Sequence, residues 1–187
     1  MKLYIKNMVC SRCILVVQTE LQKLGMKPID IRLGEVTLPT EDQATLPWDQ
    51  LEAVLKPYGF ELLTDKKKQL TEQIKTAIIE LVHYPVGVLK TNLSDYLSER
   101  MQLEYANLSA IFSETEHHTI EKFFIQQKIE KVKELLTYGE QSLSEIADRL
   151  NYSSVAHLSA QFKKVCGVTP SEYKNDQSVG RRPLDEI

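Results

Sequence analysis

The sequence has few cysteines, no long apolar run and no large excess of charge of either sign. Its three cysteines, Cys10, Cys13 and Cys166, are an odd number, which argues against a disulfide framework. The longest apolar run near the start, residues 14–17, is far shorter than the ~18 residues that a membrane span needs. No segment resembles a secretory signal, so we expect a cytoplasmic protein without a membrane partner. A net charge of -3 argues against a strongly basic nucleic-acid-binding protein.

Hydrophobic periodicity divides the chain into two unlike parts with a boundary near Thr64. Over residues 1–64 it predicts the order β-α-β-β-α-β, the split arrangement of a ferredoxin-like domain, with a hairpin at Gly34. Residues 65–174 show helical periods only, which predicts an all-α domain. Residues 175–187 have little apolar content and are expected to form a mobile tail. The expected fold class is therefore α+β.

A pair of cysteines, Cys10-x-x-Cys13, lies between the first predicted strand and the first predicted helix. The positive end of that helix and nearby Arg12 should lower the pKa of the thiols and favour thiolates, which bind metals. Two thiolates do not complete a tetrahedral zinc shell, but they suit Cu(I), with the thioether of Met8 nearby. We expect a metal site at Met8, Cys10 and Cys13, with Cu(I) as the first candidate and zinc or silver as others. A redox pair and two plain buried cysteines are the alternatives.

The loop, the β-α-β-β-α-β order and the pair Gly59-Phe60 resemble the heavy-metal-associated (HMA) domains of copper chaperones and copper ATPases, over residues 2–63. The resemblance implies that Cys10 and Cys13 are the metal ligands and that Met8 packs beneath the loop. Asn7 stands where that family favours glycine.

Two segments of the helical part repeat one pattern at an offset of fifty residues, over 92–112 and 142–162. Each predicts a capped short helix, a tight turn and a second helix, which is the helix-turn-helix unit that reads a DNA major groove. A helix over residues 119–136, roughly 27 Å long, joins them. The run FKKVCGVTPSEY, residues 162–173, resembles the signature of AraC-type (AraC/XylS) transcription regulators.

That resemblance implies double-stranded DNA as a partner and a second recognition helix over residues 154–165, with Leu158 and Phe162 facing the core. The residues that would contact bases or backbone are Ser154, Val155, Ala156, His157, Ser159 and Ala160, with Lys163 and Lys164 near phosphates. The first recognition helix, residues 105–113, turns Asn107 and Ser109 outward and carries no basic residue. The sequence does not decide whether this helix contacts bases.

We therefore expect a sequence-specific DNA-binding transcription regulator that senses copper or another soft metal, with a homodimer as a candidate assembly. The sequence shows no Ser/His/Asp grouping, no phosphate-binding loop and no carboxylate pair near the cysteines. It therefore gives no indication of an enzyme. Three alternatives stay open. They are a metal carrier or adaptor whose helical half binds protein, a thiol oxidoreductase, and a helical scaffold that no longer binds DNA.

Overall fold

The computed structural model describes residues 1–39, 46–84, 91–175 and 180–187. Most of the loop predicted over residues 39–47, and the helix interruption predicted at Pro85 and Gly87, lie outside these ranges. The elements follow one another as β1 (Lys2–Lys6), α1 (Ser11–Lys23), β2 (Asp30–Arg32), β3 (Glu35–Thr37), α2 (Trp48–Leu55), β4 (Glu61–Leu63), α3 (Lys66–His83), α4 (Leu93–Met101), α5 (Tyr105–Glu116), α6 (Ile120–Tyr138), α7 (Leu143–Arg149), α8 (Val155–Cys166) and α9 (Pro170–Asn175). None of the helices within these ranges combines the length and apolar character that crossing a bilayer requires.

A four-stranded antiparallel sheet organises the N-terminal part, in the order β2-β3-β1-β4. The predicted hairpin is confirmed, since β2 and β3 pair with Ile31 opposite Val36. Its turn needs Gly34, whose φ is +72° and whose missing Cβ would lie 2.8 Å from the hydroxyl of Thr76 on α3. The buried faces of the sheet, α1 and α2 form one apolar core that includes Ile5.

The predicted repeat is confirmed in the helical part, where α4–α5 and α7–α8 form matching units joined by α6. Polar caps begin equivalent helices: Asn92 for α4 and Ser142 for α7, the latter in a full capping box with Glu145. The recognition helices α5 and α8 bury equivalent residues at 0% exposure, Leu108 and Phe112 in one, Leu158 and Phe162 in the other. The repeat in the sequence therefore arises because the two units bury side chains at the same positions.

Three of the predicted boundaries look different in the structure, one through a local helix cap and two through tertiary contacts. The first recognition helix runs to Glu116, beyond the predicted end at residue 113, because His117 supplies a left-handed C-cap with φ 58°. Helix α3 contacts β1 and β4 as well as α4, α5 and α6, so the predicted boundary is a packed junction.

The third change concerns the end of the chain, which was expected to be a mobile tail over residues 175–187. Residues 180–187 instead dock on the first unit and on α6. Leu184 and Ile187 pack against the core of the first unit, and Arg181 forms a 3.1 Å ion pair with Glu134 of α6. Two apolar side chains and a salt bridge thus hold residues 180–187 in place, although the low apolar content of this segment predicted a mobile tail.

Candidate metal-binding loop and DNA-binding surface

The two-cysteine loop is built by the junction of β1 and α1. Cys10 is the N-cap of α1 in extended conformation, and Cys13 lies in its first turn, with its N–H donating to the carbonyl of Cys10 at 3.0 Å. This turn brings the two sulfur atoms to 3.3 Å from each other, and both cysteines are half-buried. Both thiols are therefore available to one ion.

The separation of the sulfurs fits a shared ion with a small opening of the loop. With metal–sulfur bonds of ~2.3 Å, two sulfurs would be about 3.8 Å apart at the tetrahedral angle and about 4.6 Å apart in a linear two-coordinate site. Among the described residues, no group of three or more His, Cys, Asp or Glu side chains is arranged to hold a metal. The donor set here is two thiols, which suits a soft ion of low coordination number better than zinc.

The electrostatics of the loop correct one expectation. The helix terminus and Arg12 were expected to lower the pKa of the thiols, but burial raises the pKa of the Cys13 thiol, and Cys10 beside it adds to the rise. A half-buried thiolate loses hydration, and this loss exceeds the gain from backbone hydrogen bonds. A bound cation would reverse this balance because it stabilises the thiolate directly.

Met8 lies beneath the loop with only 1% of its surface exposed, inside the apolar core of the N-terminal part. The position matches a supporting role for this side chain. The third cysteine, Cys166, is the last residue of α8, where it is half-buried and packs against the core of the second unit. The two loop cysteines are thus the thiols that the fold brings together.

The exposed face of α8 carries the residues predicted to contact DNA. Ser154 caps the helix, its hydroxyl accepting from the N–H of His157 at 3.1 Å. The imidazole of His157 is oriented by Ser153, 3.0 Å from Nδ1, and by an edge-on contact with Tyr152. Of the others, Ser159 is half-buried and the rest are exposed: Val155, Ala156, Ala160, Lys163 and Lys164.

Helix geometry arranges these side chains as one surface. Ala156 and Ala160 lie one turn apart, about 200° around the helix from buried Leu158. Lys163 and Lys164 follow Ala160 by three and four residues, so they flank the same face on either side. Small side chains in the middle and cations at the edges suit close approach to a groove between two phosphate strands.

The first unit has a different charge. Residues 93–116, which span its two helices, hold five acidic residues and one arginine, whereas residues 143–166 hold two acidic and three basic ones. On α5, Asn107 is exposed and Ser109 is half-buried, and the helix itself holds no lysine or arginine. Two of the acids are tied to α3: Glu114 to Lys67 at 2.7 Å and Glu116 to Lys75 at 3.6 Å. This unit offers phosphates little attraction.

A buried lysine connects the joining helix to the second unit. Lys128 of α6 places its ammonium 3.6 Å from the ring centroid of Tyr152, a cation–π contact. Burial lowers the pKa of Lys128 to about 8. Tyr152 in turn donates to Gln161 of α8 at 2.8 Å and touches His157, so α6 helps to fix the recognition helix.

Several residues that position the loop are invisible to periodicity. Glu72 of α3, 6% exposed, accepts a hydrogen bond from the N–H of Asn7, and Tyr84 at the end of α3 donates to the carbonyl of Val9 at 3.2 Å. The sequence pointed to one of these residues, because Asn7 stands where the heavy-metal-associated family favours glycine. Its φ of 71° explains why a glycine would suit the position. The partners on α3 had no such signal.

Comparison with known proteins identifies the helical part. A protein-family model described as a helix-turn-helix domain matches residues 97–176. The xylose operon regulatory protein of Escherichia coli is 29% identical over 103 residues, which are 54% of this chain and 26% of that protein. The C-terminal part of this chain matches a helix-turn-helix domain over residues 97–176. The chain spans about a quarter of the length of these curated relatives.

The helix-turn-helix domain also has the fold of a solved domain. The C-terminal domain of AraT, a response regulator from Geobacillus stearothermophilus, superposes with a TM-score of 0.50 at 20% identity, over 63% of this chain and 97% of that one. The C-terminal domain of the two-component response regulator yesN from Fusobacterium nucleatum gives a TM-score of 0.47 at 27% identity, over 55% and 98% of the two chains.

Proposed function

We propose that the chain is a sequence-specific DNA-binding transcription regulator whose N-terminal part responds to Cu(I) or another soft metal. The exposed face of α8, with Lys163 and Lys164 at its edges, carries the DNA-binding half of the proposal. The sequence relative from Escherichia coli is a xylose operon regulatory protein, which supports a regulator. We take double-stranded DNA as the partner, the cytoplasm as the location and a homodimer as a further assembly to test.

The metal half of the proposal is supported by the two sulfurs 3.3 Å apart at the start of α1. The strand order and the antiparallel pairing agree with a ferredoxin-like domain of the heavy-metal-associated type. Cys10 and Cys13 would hold the ion, and Met8 would support the loop from the core. Silver would occupy the same two thiols, whereas zinc would need further ligands.

The test combines metal analysis with selection of DNA sites. One Cu(I) per chain should bind under reducing conditions, in competition with a chromogenic chelator. Cys10→Ser or Cys13→Ser should abolish tight binding, and Cys166→Ser, a matched loss of one thiol, should not. Unchanged affinity in both loop variants would reject the site.

Selection from a random duplex library, run with and without Cu(I), then tests the DNA half. A consensus should emerge in at least one metal state, and the recovered site should bind far more tightly than scrambled duplex. Recovery of no consensus in either state would reject a sequence-specific reader.

The charge of the first unit favours a second candidate, a metal carrier or adaptor whose helical half binds a protein. Five acids against one arginine in residues 93–116 suit a basic protein surface better than a phosphate backbone. Under this function, the selection above would fail while Cu(I) binding by the loop persisted.

A further inference from the structure

The metal-binding loop is clamped at its start to the helix that opens the helical half. Asn7 adopts φ 71°, a left-handed conformation that residues other than glycine seldom adopt. Its N–H donates to Oε1 of Glu72 on α3 at 3.0 Å, and its side-chain amide donates to the carbonyl of Gly59 at 2.8 Å. A movement of the loop at Asn7 would therefore change the hydrogen bond that Glu72 accepts.

Glu72 leads on to the first recognition helix through one more side chain. Glu72 and Lys75 are neighbours at i and i+3 on α3, and both are buried, with 6% and 8% exposed. The ammonium of Lys75 lies 3.6 Å from the carboxylate of Glu116, the last residue of α5. Because these charges are shielded from water, they act on one another more strongly than surface charges do.

A second contact of the segment before the cysteines reinforces this path. The side chain of Val9, next to Cys10, packs against the apolar core of the first unit, and its carbonyl accepts the hydroxyl of Tyr84. The segment before the cysteines thus belongs to the sheet and to the first unit at once.

We propose that Asn7, Glu72, Lys75 and Glu116 couple the two-cysteine loop to the end of the first recognition helix. Through this path, metal binding at Cys10 and Cys13 changes how α3 holds α5. The inference rests on the function proposed above and adds how the metal signal reaches the DNA-binding half.

The experiment measures the coupling factor, the ratio of DNA dissociation constants without and with Cu(I), at one salt concentration in the full chain. Wild type should give a factor that differs from one by roughly 5- to 150-fold, whether the metal strengthens or weakens DNA binding. Glu72→Gln and Glu116→Gln should each bring the factor within about twofold of one. Glu116, with 21% of its side chain exposed at a helix end, supplies a variant that folds even where Glu72→Gln does not.

The matched control is Glu114→Gln, which removes the same charge from the same helix end. Its partner Lys67 is also on α3, but that pair is exposed, with 55% and 62% of the side chains accessible, and lies off the path. This variant should keep the wild-type factor.

Amide hydrogen exchange gives a readout that needs no DNA. Cu(I) should change the exchange of residues 111–117 in wild type and in Glu114→Gln, and leave it unchanged in Glu116→Gln. A wild-type coupling factor in both Glu72→Gln and Glu116→Gln would overturn the path and leave the sensor function standing. Absence of Cu(I) binding by wild type, or a wild-type factor of one, would overturn both.

Discussion

Removal of Lys163 and Lys164 tests whether the second recognition helix lies along a DNA groove. Both lysines are exposed and flank the face of α8 that Ala156 and Ala160 define. Consecutive residues of an α-helix are about 100° apart, so the two side chains diverge and each is expected to reach one phosphate. Each phosphate contact contributes ~0.9 to the slope of log K against log[salt].

The double variant Lys163→Ala, Lys164→Ala should therefore flatten this slope by about 1.8. Over a fourfold rise in salt, from 50 to 200 mM, wild type should lose about 12-fold more affinity than the variant. Fluorescence anisotropy with one labelled duplex at five salt concentrations measures both slopes. The loss of affinity at low salt should be similar for specific and scrambled duplexes, because phosphates carry no sequence.

The matched control replaces Lys27 and Lys56, two exposed lysines of the N-terminal part, with alanine. This variant loses the same net charge, so a slope change shared by both variants would report total charge rather than contacts of α8. An unchanged slope in the variant of Lys163 and Lys164 would refute the placement of α8 on DNA.

Three further predictions concern individual side chains. His157→Ala should change base preference by about 1–3 kcal/mol at one position, seen in site selection, and leave the salt slope unchanged; a uniform loss across all sequences would assign His157 to a phosphate. Phe162→Ala should lower the free energy of unfolding by about 3–5 kcal/mol in urea denaturation, because Phe162 is fully buried; a cost below 1 kcal/mol would contradict its place in the core. Burial lowers the pKa of Lys128 to about 8, so between pH 8 and about 10 the unfolded state binds more protons and wild-type stability should rise with pH. Lys128→Met should lack that rise, and equal pH profiles for the two proteins would show that Lys128 titrates normally when folded.

Local patterns of the sequence determined the elements and their repeat. Ser142 and Glu145, in the pattern Ser-x-x-Glu, form a capping box, and Ser154 caps α8, because capping depends on residues within one turn. The hairpin at Gly34 follows from two apolar runs and a residue that accepts positive φ. The proximity of Cys10 and Cys13 has the same origin, since the first turn of a helix brings i and i+3 together.

Burial and long-range pairing were decided only by the tertiary structure. The pKa of the Cys13 thiol is raised because packing dehydrates it, which the charge of neighbouring residues in sequence does not reveal. Lys67 and Glu114 are 47 residues apart, as are Glu134 and Arg181, and each pair exists because α3 and α6 bring distant segments side by side.

The charge of the first unit shows the difference between what the sequence determines and what the tertiary structure decides. The sequence by itself determined that residues 93–116 are acidic and that α5 lacks a cation for phosphates. Only the fold decided that Glu116 faces Lys75 of α3 and that Glu72, one turn away, holds the backbone of Asn7. The physical reason is range: helix periods and caps act over a few residues, whereas a buried ion pair depends on the path of the whole chain.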